Sequence, residues 1–133
     1  MADPRGSVQP SDGATARHLE HIGAEFRVLA TVAAQGREAY DAGDQINRMA
    51  SFGVLIRLGE QAKRLSPEFI LANPAPNYRG MIRQRDFLAH NYEKVDWDVL
   101  WTTVSEKAPR AADDHQIVME RFALRAGQGH LGG

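Results

Sequence analysis

The sequence predicts an all-α fold, an antiparallel bundle of four to five helices. Apolar residues recur at spacings of three and four along most of the chain, which is the periodicity of amphipathic helices. No segment of useful length alternates apolar and polar residues as a half-buried strand would. The 133 residues, of which 43% are hydrophobic, are enough for a single core and a single domain.

The first helix is expected from about Thr15 to Gln35, with Gly36 as its stop, because glycine commonly ends helices. An apolar stripe marks its buried face and consists of Leu19, Ile22, Phe26, Leu29 and Ala33. Residues 37–42 can add a short helical turn. Residues 1–14 contain two prolines, two glycines and no apolar stretch, so we predict a disordered tail rather than a signal peptide.

The second helix is expected from the capping residue Asp44 to about Leu65. Ser66–Pro67 should end or interrupt it, because proline cannot continue the hydrogen-bond ladder of a helix. Gly53 and Gly59 lower its helix propensity. We therefore predict that a neighbouring helix approaches closely at these glycines.

The third helix is predicted at Tyr78–His90, with Asn77 as its cap, after a proline-containing loop at residues 71–77. The fourth should begin after Asp96, another capping residue type, and Pro109 should bend or break it.

The last predicted element is an amphipathic helix from about Asp113 to Ala126. Residues 127–133 are expected to form a flexible C-terminus, so the helical domain would comprise residues 15–126. Trp97 and Trp101 are four residues apart on the fourth helix, and we expect them in the core or in a contact between subunits.

Composition and charge exclude several classes of function. The formal net charge is −1, so the molecule as a whole does not attract nucleic acid, and any RNA contact must come from a local group of basic side chains. Cysteine is absent, which excludes disulfides and thiolate metal sites. No apolar run approaches the roughly 20 residues needed to span a bilayer, so we expect a cytoplasmic protein without membrane contact.

Reactive side chains are concentrated at residues 83–92, in the order Arg-Gln-Arg-Asp-Phe-Leu-Ala-His-Asn-Tyr. Asp86 and His90 are four residues apart and share a helix face, so the carboxylate can accept a hydrogen bond from the imidazole. Arg85 and His90 are five residues apart, roughly 140° around a helix. They can meet if the arginine wraps around the helix, if the helix ends near His90, or if a second subunit supplies the partner group.

An imidazole and a guanidinium are sufficient to cleave RNA without a metal. His90 can be the base that removes the proton of the ribose 2′-hydroxyl. Arg85 can stabilise the negative charge of the transition state with two hydrogen bonds. The product would be a cyclic phosphate, and DNA, which lacks the attacking hydroxyl, would not react. Tyr92 can stack on a base, donate to a phosphate, or simply pack against the domain.

Basic side chains around the motif are candidates for substrate binding. The segment has a surplus of two positive charges, counting Arg79, Arg83, Arg85 and Lys94 against Asp86 and Glu93. We therefore predict that Arg79 and Arg83 contact RNA phosphates. The histidine also has an ordinary interpretation, because a histidine at a helix C-terminus gains from the helix dipole without any chemistry.

The motif and its flanking residues resemble a known family. The pattern Arg85-x4-His90-x-Tyr92 is similar to the signature of HepT-like proteins in the HEPN superfamily, and the similarity extends over most of residues 16–120. Further matching positions are Gly80-Met81 before the motif, Asp86 within it, Val95-Asp96, Trp101 and Pro109 after it, and Leu58-Gly59-Glu60-Gln61-Ala62 upstream.

This resemblance implies a ribonuclease toxin without a cofactor, in which Arg85 and His90 of both chains of a homodimer line one groove. It also implies a cognate minimal nucleotidyltransferase, the antitoxin of a type II pair, that can transfer adenylate groups onto the motif tyrosine, here Tyr92. A nucleotide on Tyr92 would add negative charge and bulk that exclude RNA phosphate.

Other interpretations are open at the level of sequence. The chain can instead be a non-catalytic partner subunit of a nucleotidyltransferase that holds a nucleotide or substrate in the same groove. Glu60 is a candidate partner for Arg85 if their helices are neighbours, and a surface residue otherwise. His18 and His21 share a helix face, but no third ligand is identifiable, so we expect a solvated surface rather than a metal site.

Overall fold

The computed structural model describes residues 11–132, with side chains described as far as residue 127. Six α-helices follow one another: α1 Asp12–Tyr40, α2 Ile46–Lys63, α3 Pro67–Ala72, α4 Tyr78–His90, α5 Trp97–Thr102 and α6 Ala108–Gly132. A π-helical turn, Thr103–Lys107, joins α5 and α6 into one rod, so four long rods and the short α3 form the bundle. The described residues contain no strand, and the predicted all-α class is confirmed. None of their helices is both long and apolar enough to cross a membrane.

Helix α1 begins earlier and continues further than predicted. Ser11 caps it, because the Ser11 hydroxyl accepts a hydrogen bond of 3.1 Å from a backbone N–H of the first turn. Residues 12–14 of the predicted tail are therefore helical, and residues 1–10 lie outside the described part of the chain. The predicted stop at Gly36 is a kink with a φ of 88°, a left-handed conformation that glycine adopts without strain, and the helix resumes as far as Tyr40.

Capping residues determine where α3 and α4 begin. Pro67 occupies the first position of α3, and the Ser66 hydroxyl accepts a hydrogen bond from Phe69 N at 3.0 Å. The sequence indicated only an interruption at this segment, so the short helix was not predicted. Asn77 caps α4 as predicted, with its side-chain oxygen accepting from Gly80 N at 3.1 Å.

Pro109 does not break the helix, which is one of the two outcomes predicted for it, because the helix widens ahead of it. In a regular α-helix, the proline ring would clash with the Ser105 carbonyl and leave it without its N–H donor. Here the N–H of Ala108 donates to the Thr103 carbonyl, five residues back, as in a π-helix. Helix α6 then continues to Gly132, beyond its predicted end.

The long helices pack in the order α4, α2, α1 and α6 around one hydrophobic core. Trp101 is partly buried against Tyr40, with ring centroids 5.0 Å apart, which is one of the two positions expected for it. The start of α4 reaches α6 through a hydrogen bond of 2.8 Å between the Tyr78 hydroxyl and His115 Nδ1. Beside this contact, α4 and α6 leave a cleft between them.

Helices α2 and α4 approach each other closely at Gly59. A Cβ added to Gly59 would lie 2.2 Å from Arg85 Cβ and 2.6 Å from the Met81 carbonyl oxygen, so only glycine permits this contact. The predicted close approach is confirmed at Gly59 and wrong at Gly53, where an added Cβ would meet nothing within 4 Å. As a result, α2 lies directly against the segment of α4 that carries Arg85.

Candidate active site

The predicted site is built on the second half of α4, where two carboxylates hold Arg85. Its Nη1 donates to Asp86 Oδ1 at 3.1 Å, and its Nη2 donates to Glu60 Oε1 at 3.2 Å. The hydrogen bond to Asp86, and after it the one to Glu60, raises the pKa of Arg85 above its ordinary value. Glu60 is thus the partner that we expected if α2 and α4 were neighbours.

Arg85 keeps hydrogen-bond donors for an anionic ligand. A guanidinium has five N–H donors, and Arg85 commits two of them to the carboxylates. Its Nε is buried and has no hydrogen-bond partner within the described part of the chain. The side chain as a whole is 26% exposed. Each Nη atom retains one further N–H, which can donate to a phosphate oxygen without breaking the contacts that position the guanidinium.

His90 is the last residue of α4 and is exposed. Its Nδ1 lies 2.7 Å from the backbone carbonyl oxygen of Asp86. Because a carbonyl can only accept, Nδ1 carries the hydrogen, which leaves a free lone pair on Nε2 of the neutral imidazole. The expectation that the Asp86 carboxylate accepts this bond was wrong, since that carboxylate binds the charged Arg85, the stronger partner.

Asp86 binds both the guanidinium and the imidazole. Its carboxylate holds Arg85, and its carbonyl holds His90. Arg85 is packed against Gly59 of α2, whereas His90 lies at the exposed end of α4. Among residues 11–127, no hydrogen bond joins Arg85 to His90 directly.

Tyr92 lies beyond this group, in the 3-10 turn Tyr92–Lys94 that follows α4. Its ring packs edge-on against Phe52, with centroids 5.2 Å apart, and against Trp97 at 6.4 Å. The hydroxyl contacts Met49 Sδ, a weak acceptor, at 3.7 Å. The residue is 49% exposed, so Tyr92 is held by packing on one side and faces solvent on the other.

The other predicted substrate-binding residues, Arg79 and Arg83, lie on the first half of α4 and are exposed. Arg83 lines the cleft between α4 and α6, and Arg79 lines a smaller hollow beside α3. The structure thus groups Arg83 with Lys107 and Arg110 across the cleft, rather than with the motif residues. Lys107 and Arg110 were not predicted as site residues, because only the fold brings them opposite α4. Their spacing of three, which places two cations on one helix face, was the signal available in the sequence.

His115 is a buried histidine whose hydrogen bonds are satisfied. Its Nε2 lies 2.8 Å from the Leu19 carbonyl oxygen, so Nε2 carries the hydrogen and Nδ1 accepts from the Tyr78 hydroxyl. Burial lowers the pKa of His115 and raises the pKa of Tyr78. This histidine therefore belongs to the core rather than to a site.

The histidines considered for metal binding lie on α1. His18 Nδ1 contacts Gln61 Oε1 at 3.3 Å, and His21 is exposed. Among residues 11–132, no three His, Asp or Glu side chains are gathered as a metal site requires.

The family model described as "Ribonuclease HepT-like" matches residues 18–116, about three quarters of the chain. The chain belongs to this family. The resemblance inferred from the motif is therefore confirmed, and the HepT-like match includes all of α2, α3 and α4. Arg85, His90 and Tyr92, the three residues of the motif, lie inside the matched segment.

Two curated proteins are similar to part of the chain. The protein named "Putative RNase MJ0127" of Methanocaldococcus jannaschii is 36% identical over 52 residues, which cover 39% of this chain and 43% of that protein. The protein named "Probable ribonuclease HepT" of Thermococcus cleftensis is 38% identical over 66 residues, which cover 50% of this chain and 60% of that protein. The chain thus spans about half the length of these relatives. No solved structure matches it.

Proposed function

We propose that this HepT-like chain is a metal-independent endoribonuclease, the cytoplasmic toxin of a type II toxin–antitoxin pair, and that it acts as a homodimer. One observation carries the proposal. The bond from His90 Nδ1 to the Asp86 carbonyl leaves Nε2 free to accept a proton, on the same helix as a guanidinium anchored by two carboxylates. A base with a fixed tautomer and a fixed cation are the two groups that 2′-hydroxyl attack requires.

The reaction begins when Nε2 of His90 takes the proton of the ribose 2′-hydroxyl. The 2′-oxygen then attacks the adjacent phosphorus, and the bond from phosphorus to the 5′-oxygen breaks. The leaving 5′-oxygen takes a proton from solvent or from the second imidazole of the dimer. The products are a 2′,3′-cyclic phosphate and a 5′-hydroxyl. Arg85 donates hydrogen bonds to the non-bridging oxygens, where negative charge develops in the transition state.

We propose the homodimer because Arg85 and His90 form no hydrogen bond with each other within the described part of one chain. Arg85 is packed on α2, while His90 is at the exposed end of α4. A two-fold axis beside this end would bring the partner's His90 to Arg85 and give two equivalent sites in one groove. Phe87, on the last turns of α4, is 51% exposed and offers apolar area for such a contact.

Regulation by adenylate transfer onto Tyr92 is part of the same proposal. The Tyr92 hydroxyl would attack the α-phosphorus of ATP, with pyrophosphate as the leaving group, on the cognate nucleotidyltransferase. Its exposure of 49% and its weak thioether partner support an accessible hydroxyl. The attached nucleotide would add negative charge two residues beyond His90 and repel RNA phosphate.

Incubation of the purified chain with RNA in buffer containing EDTA tests the proposed activity. We expect cleavage that leaves cyclic phosphate ends, while DNA of the same sequence stays intact. His90→Ala should lose about 100-fold or more in rate. His21→Ala, which removes an exposed histidine of α1 outside the site, is the matched control and should retain the rate. If wild-type protein leaves RNA intact yet binds a nucleotidyltransferase, the non-catalytic subunit is the correct interpretation.

A further inference from the structure

The proposed catalytic group, which consists of Arg85, His90 and the carboxylates of Asp86 and Glu60, does not carry the positive charge that RNA binding needs. The folded site combines one guanidinium with the carboxylates of Asp86 and Glu60, so these three side chains together carry a net charge of −1. The whole chain has a formal net charge of −1. Because neutralisation of phosphates supplies most of the affinity for a nucleic acid, the cations that bind the strand must lie elsewhere.

The cleft between α4 and α6 offers the volume and the positive charge that the catalytic group lacks. Its volume is about 460 Å³, within the usual range for ligand sites. Its floor is apolar and consists of Phe26, Leu55, Leu58 and Met81, all buried. Three cations, Arg83, Lys107 and Arg110, line it against a single carboxylate, Asp114. The cleft therefore combines a positively charged rim with an apolar floor.

The cations of the cleft are available to a ligand. Within the described residues, none of Arg83, Lys107 and Arg110 takes part in an ion pair, whereas four other arginines do: Arg37, Arg48, Arg57 and Arg85. All three are exposed. Three unpaired cations around a concave surface concentrate the positive electrostatic potential there, which attracts an anion.

We propose that this cleft binds the single-stranded RNA that flanks the scissile phosphate. Phosphates of the strand contact Arg83, Lys107 and Arg110, and one base lies against the apolar floor. The inference rests on the proposed ribonuclease function and assigns to it a binding site distinct from the catalytic group. Base burial adds affinity with little dependence on sequence, as in other proteins that bind single strands.

The geometry of α4 connects the cleft to the proposed catalytic residue. Arg83 and His90 are seven residues apart, so they point within about 20° of each other, two turns or about 10 Å apart along the helix. Both residues are exposed. A strand whose phosphate reacts at His90 can therefore follow this face into the cleft.

Binding of an uncleavable RNA tests the proposal independently of catalysis. The probe is a fluorescein-labelled 2′-O-methyl RNA of about twelve nucleotides, which lacks the attacking hydroxyl, and the readout is fluorescence anisotropy with full-length protein. We expect the double variant Lys107→Glu/Arg110→Glu to raise the Kd about tenfold or more. The slope of log K against log salt should become shallower by about 0.7 for each phosphate that the variant no longer neutralises.

The matched control is Arg121→Glu/Arg125→Glu, which makes the same change of charge on exposed residues of α6 outside the cleft. It should change the Kd by less than about threefold. Equal weakening by the two double variants would overturn the proposal, because only the overall charge would then matter. Unchanged binding by the cleft variant would overturn it as well.

Two further measurements keep the test decisive. If circular dichroism shows that the glutamate variant does not fold, Lys107→Gln/Arg110→Gln replaces it, with an expected rise in Kd of about fivefold. The failure of the ribonuclease proposal would appear separately, as an RNA that stays intact with wild-type protein or as a fully active His90→Ala. Neither of those results depends on the Kd of the uncleavable probe.

Discussion

Replacement of Gly59 by alanine should destabilise the bundle, because α2 and α4 meet at this position. The new Cβ would lie 2.2 Å from Arg85 Cβ and 2.6 Å from the Met81 carbonyl oxygen. The helices must separate by about 1.3 Å there to restore a normal carbon–carbon contact of about 3.5 Å. The carbonyl belongs to the backbone of α4 and cannot rotate away.

The expected cost follows from two opposing effects. Overpacking of a core contact costs about 1–3 kcal/mol, and the upper part of this range applies because a backbone atom is involved. Alanine regains about 1 kcal/mol of helix propensity relative to glycine. The net decrease in the free energy of unfolding is therefore about 2 kcal/mol, which lowers the Tm by about 8 °C for a chain of this size.

Thermal unfolding followed by circular dichroism at 222 nm measures this effect, and Gly53→Ala is its control on the same helix. An added Cβ at Gly53 meets nothing within 4 Å. Only the gain in propensity applies there, and the Tm should rise by about 4 °C. If Gly59→Ala is as stable as the wild type, or gains stability as Gly53→Ala does, the close packing of α2 on α4 is refuted.

Three further predictions concern the core and the site. Burial lowers the pKa of His115, so the unfolded chain binds a proton at this residue more readily than the folded chain does. The free energy of unfolding should therefore be constant above about pH 6.5 and decrease below it by up to about 1.4 kcal/mol per pH unit. Urea unfolding at several pH values should show this slope in the wild type, and an equal slope in His115→Asn would contradict it. Tyr92→Phe should retain RNA cleavage within about threefold, because the hydroxyl contacts only a thioether. The same variant should accept no label from radioactive ATP in the presence of the nucleotidyltransferase. An inactive ribonuclease would show that the hydroxyl takes part in the reaction. Glu60→Gln should slow cleavage about tenfold, because Arg85 would be held less firmly. The free energy of unfolding should change by less than about 1 kcal/mol, because the ion pair is partly exposed. Unchanged cleavage would mean that Glu60 does not position Arg85.

The starts of α4 and α5 were predictable from their capping side chains. Asn77 caps α4, and Asp96 caps α5 by accepting from the N–H groups of Asp98 and Val99, so both starts agree with the sequence. The six-residue α3 is too short for periodicity to reveal it. The continuity across Pro109 depends on a π-helical turn, and no local pattern distinguishes that turn from a break.

The site was predictable as far as local chemistry determines it. Glu60 could be linked to Arg85 because the neighbouring Gly59 already indicated close helix packing. The partner of His90 could not be predicted. The Asp86 carboxylate can bind either Arg85 or His90, and only the structure shows that Arg85 binds it. Lys107 and Arg83 are 24 positions apart in the chain, and only the packing order of the helices places them on one cleft.

Mixing two inactive variants tests most directly whether a guanidinium and an imidazole from different subunits act on one phosphodiester. Arg85→Ala and His90→Ala are unfolded, mixed and refolded together, and RNA cleavage is compared with that of each variant alone. In a mixed dimer, one site has both an intact Arg85 and the partner's His90. We predict that the mixture regains roughly a quarter of wild-type activity, since random pairing gives half mixed dimers with one intact site each. A mixture as inactive as its two components would contradict a site shared between subunits.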